Sequence, residues 1–370
     1  MARRGRRRLT VRIGLDVSKA AGAADGIGIY CRELLRALPE LLDDDELWLY
    51  APLGDLDFQA LAQELGGWPL GVRPRPDTSP AKDELDLFHS TCWTAPPGLR
   101  APLLFTCHDL TFLTHEHCHT LHNRVHCTTG LLRAYLTNAT FLAVSEATAR
   151  ELHHQFGISP AHTHVIPHAA APHFKPRSDA AQRLANSLDL EGPFLLAVGT
   201  LEPRKNLSRL LDAYTALDRD LRHQWPLVLV GSPGWLADDL LARLESDPQL
   251  ATVRHLGRVS DDTLVDLYSA ASLFVYPSLA EGFGLPLLEA MACGAPVLTS
   301  RGGATEETAG DAARLVDPRS ADDLLAALEE LLNDPDTRQA LSQAGRKRAR
   351  TFSWASTARR TQALYHRLAG

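Results

Sequence analysis

Two carboxylates at a fixed spacing set the chemistry open to this chain. Glu281 and Glu289 bracket the segment EGFGLPLLE, with seven residues between them. Gly282 and Gly284 permit a tight turn, and Pro286 suits the first helical position, where its missing N–H is not needed. The segment therefore reads as a loop carrying Glu281 that opens a helix, with Glu289 about one turn inside. The first-turn N–H groups around Phe283, Gly284 and Leu285 would lie unpaired, with the positive end of the helix dipole behind them, and so offer a seat for phosphate. A phosphate with hydroxyl-bearing groups on either side fits such a site, which describes a sugar nucleotide.

Further charges stand upstream. Arg204 and Lys205 occur in VGTLEPRKNLSRLL, after a strand and before a helix read as capped by Asn206. Two cations beside a helix N-terminus are unfavourable unless an anion belongs there. They would neutralise a diphosphate and stabilise the charge that grows as it leaves, with no divalent metal required. Gly26 and Gly28, in DGIGIY, read as a loop between the first strand and first helix, where backbone can approach a phosphate. A lone G-x-G serves equally as a plain turn, and no acid follows it in the dinucleotide pattern. His108 ends a strand in FTCHDL, placed to donate or accept a hydrogen bond in a cleft, although a lone histidine also fits a structural role.

These positions need elements to hold them. Near-continuous apolar strands at 10–17, 46–52, 102–110, 140–145, 194–200, 227–231, 273–278 and 295–300 alternate with amphipathic helices. That pattern argues for parallel sheets covered on both faces. Residues 169–181 hold two prolines and no periodicity, and read as a linker between two domains. Ligands of such sheets bind beyond the carboxyl ends of the strands.

The stretch 276–300, YPSLAEGFGLPLLEAMACGAPVLTS, resembles the retaining glycosyltransferases of family 4, and the likeness covers nearly the whole chain, most strongly 194–317. The resemblance implies an α/β GT-B fold of two facing Rossmann-like domains. It places an acceptor-binding domain at 1–175, a nucleotide-sugar domain at 176–352, and a last helix at 353–370 crossing back to the first. Arg204 and Lys205 match the family's diphosphate-binding pair, and His108 matches its HDL segment. Glu281 and the backbone of Phe283, Gly284 and Leu285 are expected on the sugar, and an ionised Glu289 on the ribose. The backbone of Val259 is expected at the base, and the Gly26–Gly28 loop over the donor phosphates. The implied reaction is metal- and cofactor-free transfer of a hexose, mannose from GDP-mannose first, to a glycan or lipid-linked acceptor, by front-face attack. Alternatives are UDP-sugar-dependent glucosyl or N-acetylglucosaminyl transfer, an epimerase or hydrolase on the same fold, or a non-catalytic binding module. The acceptor depends on loops near 18–28 and 111–130. The chain departs from the family at His168-Ala169, where Asn-Gly is usual, and at Glu306-Glu307, where Pro-Glu is usual. Both are expected to leave the donor site intact, the first touching only the linker turn.

One motif competes. His115, Glu116 and His119 satisfy H-E-x-x-H, with Glu146 a conceivable third zinc ligand. The flanks, THEHCHTLHNRVH, are polar and show no apolar face for a zinc helix, so proteolysis is set aside while incidental metal binding by the 115–127 cluster stays open. Bulk properties agree with a cytoplasmic enzyme. Six cysteines are scattered without a CxxC pair, as in a reducing compartment. No apolar run approaches the ~18 residues of a membrane span. The arginines Arg3, Arg4, Arg6, Arg7, Arg8 and Arg12 read as a solvated tail or as peripheral attachment to an anionic membrane. Nucleic-acid binding is not expected, as no stacking platform accompanies them.

Overall fold

The computed structural model describes residues 10–21, 25–54, 56–76 and 78–370. Arg3 to Arg8 and part of the 18–28 loop lie outside the described residues. Arg12 lies inside the first strand, against Glu46 at 3.8 Å.

Two parallel sheets form the frame. The first contains β1 (Arg12–Asp16), β2 (Glu46–Tyr50), β3 (Val72–Pro74), β4 (Leu87–Ser90), β5 (Leu103–Cys107), β6 (Thr140–Ala143) and β7 (Thr163–Val165), in the order β3-β2-β1-β4-β5-β6-β7. The second contains β8 (Leu195–Val198), β9 (Leu227–Val230), β10 (Val253–His255), β11 (Leu273–Tyr276), β12 (Val297–Ser300) and β13 (Arg314–Val316), in the order β10-β9-β8-β11-β12-β13. In the first sheet Ile13 registers between Leu47 and Leu87, and in the second Leu196 registers between Val228 and Phe274. Strands such as LVLV (227–230) and LFVY (273–276) are buried at every position. Helices on both faces demand this double-sided apolarity, which is why these strands read so plainly in sequence.

The helices over the first sheet are α1 (Gly26–Ala37), α2 (Phe58–Leu65), α3 (Thr111–Thr114), α4 (Leu121–Leu136) and α5 (Glu146–Phe156). Those of the second half are α6 (Ala180–Leu188), α7 (Leu207–Ala216), α8 (Arg219–Gln224), α9 (Asp238–Ser246), α10 (Asp261–Ala270), α11 (Leu285–Cys293), α12 (Gly303–Ala309), α13 (Ala321–Asn333), α14 (Pro335–Ala349) and α15 (Trp354–Leu368). The last of these returns to the first sheet. Trp354, Ala358, Leu364 and Tyr365 join the core that contains Ile13, Leu34 and Leu104. The Tyr365 hydroxyl lies 2.6 Å from His89 Nδ1, and the Thr357 hydroxyl donates to the Pro167 carbonyl at 2.7 Å.

Three local expectations need correction. Residues 111–130, read as a loop of unfixed shape, form α3, a short 3-10 turn and most of α4. α4 does own a buried face, Cys127, Gly130, Leu131 and Ala134. Its small residues carry little hydrophobic signal. Gly26 and Gly28 are not in a loop but open α1, because Asp25 caps it and accepts the Gly28 N–H at 2.9 Å. Asn206 precedes α7 in the left-handed region (φ 60°), but its side chain caps nothing. It donates instead to the carbonyls of Pro277 and Pro318, at 3.0 and 2.7 Å, tying three loops together.

Candidate active site

Both sheets end at one place, and the charges predicted from sequence meet there. β8 runs out into a short turn carrying Arg204 and Lys205, and β11 runs out into the loop carrying Glu281. Lys205 Nζ lies 2.7 Å from Glu281 Oε1, while Arg204 Nη1 holds Oε2 of the same carboxylate. Arg204 also pairs with Glu202 at 2.6 Å and donates to the Ala280 carbonyl at 3.0 Å. The Tyr276 hydroxyl accepts from Lys205 at 2.9 Å and donates to Glu281 at 2.8 Å. All four charged groups are largely buried.

Burial alone would push the Glu281 carboxyl up, but the Arg204 and Lys205 charges outweigh it and hold it at about 2. Burial pulls Lys205 down, and the Glu281 charge only partly offsets that. Arg204 goes the other way: Glu281 and Glu202 overcome its burial and raise it. Glu202 is itself raised by burial, with Arg204 opposing. Two cations are thus poised in a water-poor site, satisfied by a carboxylate that a ligand anion could replace.

The Glu281 loop is pressed against the first sheet. A Cβ on Gly282 would fall 1.5 Å from the His108 carbonyl oxygen, so only glycine permits this approach. The Thr148 hydroxyl reaches the Gly282 carbonyl at 3.3 Å, and that of Thr308 donates to the Phe283 carbonyl at 2.7 Å. Gly284, at φ 96°, starts α11 from a left-handed conformation that glycine adopts without strain. Gly26 sits close to Leu285, whose Cδ1 would be 3.8 Å from a Cβ there.

His108 is buried at the end of β5. Its Nε2 lies 2.7 Å from the Thr91 carbonyl, which can only accept, so Nε2 carries the proton. Burial lowers its pKa. The neutral ring therefore keeps Nδ1 as an acceptor. Beside it lies His168, which the sequence assigned only to a linker turn. That assignment is corrected here: His168 is 3% exposed and packs at 4.8 Å from Tyr30, 5.7 Å from His108, 5.3 Å from Phe283 and 5.7 Å from Trp354. It joins α1, the strand end, the Glu281 loop and α15.

Glu289 lies inside α11 and is also buried. Its Oε2 accepts from the Tyr268 hydroxyl at 3.2 Å, yet burial, with some help from the Asp261 charge, pushes the carboxyl up to about 8. That upward push runs against the ionised Glu289 expected from the sequence. Val259 sits half-buried between β10 and α10, packed on the core that contains Tyr268 and Leu285.

The H-E-x-x-H residues do not share a helix. α3 stops before His115, and Glu116 begins the 3-10 turn and pairs with Arg124. His119 spends both nitrogens, on Thr111 at 2.9 Å and Asn123 at 3.0 Å. Among the described residues no three His, Cys, Asp or Glu side chains are grouped to hold a metal. This segment instead meets the second half, where the Trp235 indole donates to the Cys118 carbonyl at 2.6 Å and stacks on His119 at 5.7 Å.

Glu202, Tyr276 and Tyr268 escaped the sequence reading. Glu202 adjoins the Arg204-Lys205 pair and Tyr276 opens the Glu281 segment, so proximity to charged positions was the available signal. Glu307, named from sequence only as part of the Glu306-Glu307 departure, accepts from the backbone N–H groups of Glu146 and Ala147, each at 2.8 Å, across the two halves.

Comparison with known proteins agrees with this layout. The family described as Glycosyltransferase Family 4 matches residues 24–173, and that described as Glycosyl transferases group 1 matches residues 179–348. The chain belongs to glycosyltransferase family 4. Within the family it is 41% identical over 172 residues to O-antigen chain mannosyltransferase B of Escherichia coli, covering 46% of this chain and 45% of that one. It is 36% identical over 234 residues to an MMP alpha-(1->4)-mannosyltransferase of Mycolicibacterium hassiacum, covering 61% and 53%. The matches thus span about half the length of these curated relatives. Among solved structures, sucrose-phosphate synthase of Thermosynechococcus elongatus superposes with a TM-score of 0.75 at 25% identity, covering 97% of this chain and 99% of that one. Among the described residues of this family 4 chain, no helix is long and apolar enough to cross a membrane.

Proposed function

We propose that this chain transfers a hexosyl unit, mannose from GDP-mannose, to a hydroxyl of a glycan or lipid-linked acceptor, with retention at the anomeric carbon. The observation that carries the reading is the buried cluster in which one carboxylate, Glu281, occupies both Arg204 and Lys205. A donor diphosphate takes the two cations and frees Glu281 for the sugar hydroxyls. The N–H groups near Phe283, Gly284 and Leu285 lie at the start of α11, where phosphate is favoured. The similarity to two mannosyltransferases supports mannose as the sugar.

In the proposed reaction the bond from the anomeric carbon to the β-phosphate oxygen breaks and its electron pair leaves with the diphosphate. The acceptor oxygen bonds on the same face, and its proton passes to the departing phosphate oxygen. Arg204 and Lys205 stabilise the growing negative charge, supplying what a divalent ion would otherwise bring. His108 accepts a hydrogen bond from a sugar hydroxyl through Nδ1. The packing of Gly282 on His108 excludes water, the competing acceptor. In this reading Glu289 takes the ribose and the Val259 backbone the base.

The test is transfer from GDP-mannose to a mannose oligosaccharide in EDTA, with the product linkage read by NMR. An α-linked mannosyl product is expected. A β-linked product, or turnover only of UDP-sugars, would remove retention or the mannosyl donor respectively.

A further inference from the structure

A second cavity lies away from the cleft. It has a volume of about 560 Å³ and opens beyond the edge strand β7, between α5 and α15. One face of α5 (positions 146, 149, 150, 153 and 154) and one face of α15 (positions 360, 363, 364 and 367) line it. Both sets follow the three-and-four spacing that places residues on a single side of a helix. Ala149, Ile158 and Leu364 contribute an apolar floor.

The cations of the lining are Arg150, Arg360 and Arg367, with the imidazoles of His153, His154 and His164 beside them, and among the described residues Glu146 is the only acid on the wall. Arg360 donates to the Val165 carbonyl and so covers part of the open edge of β7. Among the described residues neither Arg150 nor Arg367 closes an ion pair. Burial, then the charges of Arg367 and His162, pull the His164 imidazole below its usual value, so the cations are felt across the cavity. Like charges turned toward one space repel unless an anion lies between them.

We propose that this cavity binds a ligand carrying a phosphate or diphosphate group next to an apolar segment. Guanidinium groups from two helices suit phosphate oxygens, which they hold through paired N–H donors. The floor suits the apolar segment. None of these residues belongs to the Arg204, Lys205 and Glu281 cluster, so the site stands independently of the transfer reading.

The test uses the full chain in titration calorimetry with pyrophosphate, farnesyl diphosphate and farnesol. A parallel arm measures co-sedimentation with phosphatidylcholine vesicles, with and without phosphatidylglycerol. Farnesyl diphosphate should bind more tightly than pyrophosphate, and farnesol should not bind. With GDP present to occupy Arg204 and Lys205, the double variant Arg150→Glu/Arg367→Glu should weaken binding at least about tenfold relative to the unaltered chain. The milder Arg150→Gln/Arg367→Gln pair repeats the comparison if charge reversal disturbs folding. Capture only by phosphatidylglycerol vesicles, lost in the double variant, would support the site and identify its phosphate as a lipid headgroup. Absence of binding in both arms, or binding unaffected by either double variant, would overturn the proposal.

Discussion

Lys205 Nζ lies 2.7 Å from Glu281 Oε1, in a pair that is about nine-tenths buried on each side. With Arg204 on the other oxygen, the carboxylate occupies the position that a diphosphate would claim. In the proposed reaction, donor binding is an exchange of anions on these two cations, which makes the cluster testable one charge at a time.

Removing the competing charge should separate binding from catalysis. Glu281→Gln should bind GDP about tenfold more tightly, since no carboxylate must be displaced, yet lose at least about a hundredfold in transfer because the sugar is no longer held. Lys205→Ala should weaken both. Calorimetry with GDP beside steady-state transfer rates checks this. Parallel losses of binding and turnover in Glu281→Gln would contradict the exchange.

Glu289 should leave a mark on stability against pH. In the folded protein its carboxyl keeps a proton to about pH 8, against an ordinary value of 4.5. The folded state binds the extra proton between those values. Stability is thus full below 4.5 and falls as pH rises to 8, by about 1.4 kcal/mol per unit at most. Glu281 has the opposite sign: its contribution is present above 4.5 and is lost as pH falls toward 2. Glu289→Gln should flatten the decline between pH 5 and pH 8 in urea denaturation. An unchanged slope would show that Glu289 ionises in the folded protein.

His168 should matter through its ring. Its Nδ1 is buried without a hydrogen-bond partner, a cost of about 1–3 kcal/mol. His168→Phe, which keeps the stack and removes the orphan atom, should retain transfer and gain stability by about 1 kcal/mol. His168→Ala should loosen the Phe283 loop, raising donor KM and the ratio of donor hydrolysis to transfer about tenfold. Measuring free and transferred mannose together distinguishes this from simple loss of fold, which would lower both.

Glu307 caps α5 from the opposite half, accepting the Glu146 and Ala147 N–H groups. Glu307→Gln should cost about 1 kcal/mol in stability and raise donor KM, because the contact holds the two halves together. A lower melting temperature with unaltered KM would confine its role to stability.

The frame of the molecule was legible because strands such as LVLV and LFVY must be apolar on both faces, and little else looks like them. α4 was not, since three of its four buried residues, Cys127, Gly130 and Ala134, are small, while its large apolar residues Leu121, Val125, Leu132, Tyr135 and Leu136 are exposed and blur the stripe. α14 hid for a related reason: in PDTRQALSQAGRKRA only Gly345 and Ala349 are buried, and charge dominates the rest. At the site, Arg204, Lys205 and Glu281 stood out as charges at strand ends. That they pair with one another depends on two loops 76 residues apart. The upward push on the Glu289 carboxyl comes from burial, and the importance of His168 from four segments converging. Neither leaves a local pattern.

The most direct measurement is thermal denaturation with GDP, UDP and ADP in EDTA, on the unaltered chain and on Lys205→Ala. A ligand that binds the native state raises the melting temperature by mass action. The account predicts that a nucleoside diphosphate, GDP first, raises it undiminished by EDTA, and that Lys205→Ala removes the shift. No shift with any of the three, or a shift that survives intact in Lys205→Ala, would contradict the assignment of the Arg204, Lys205 and Glu281 cluster as the diphosphate site.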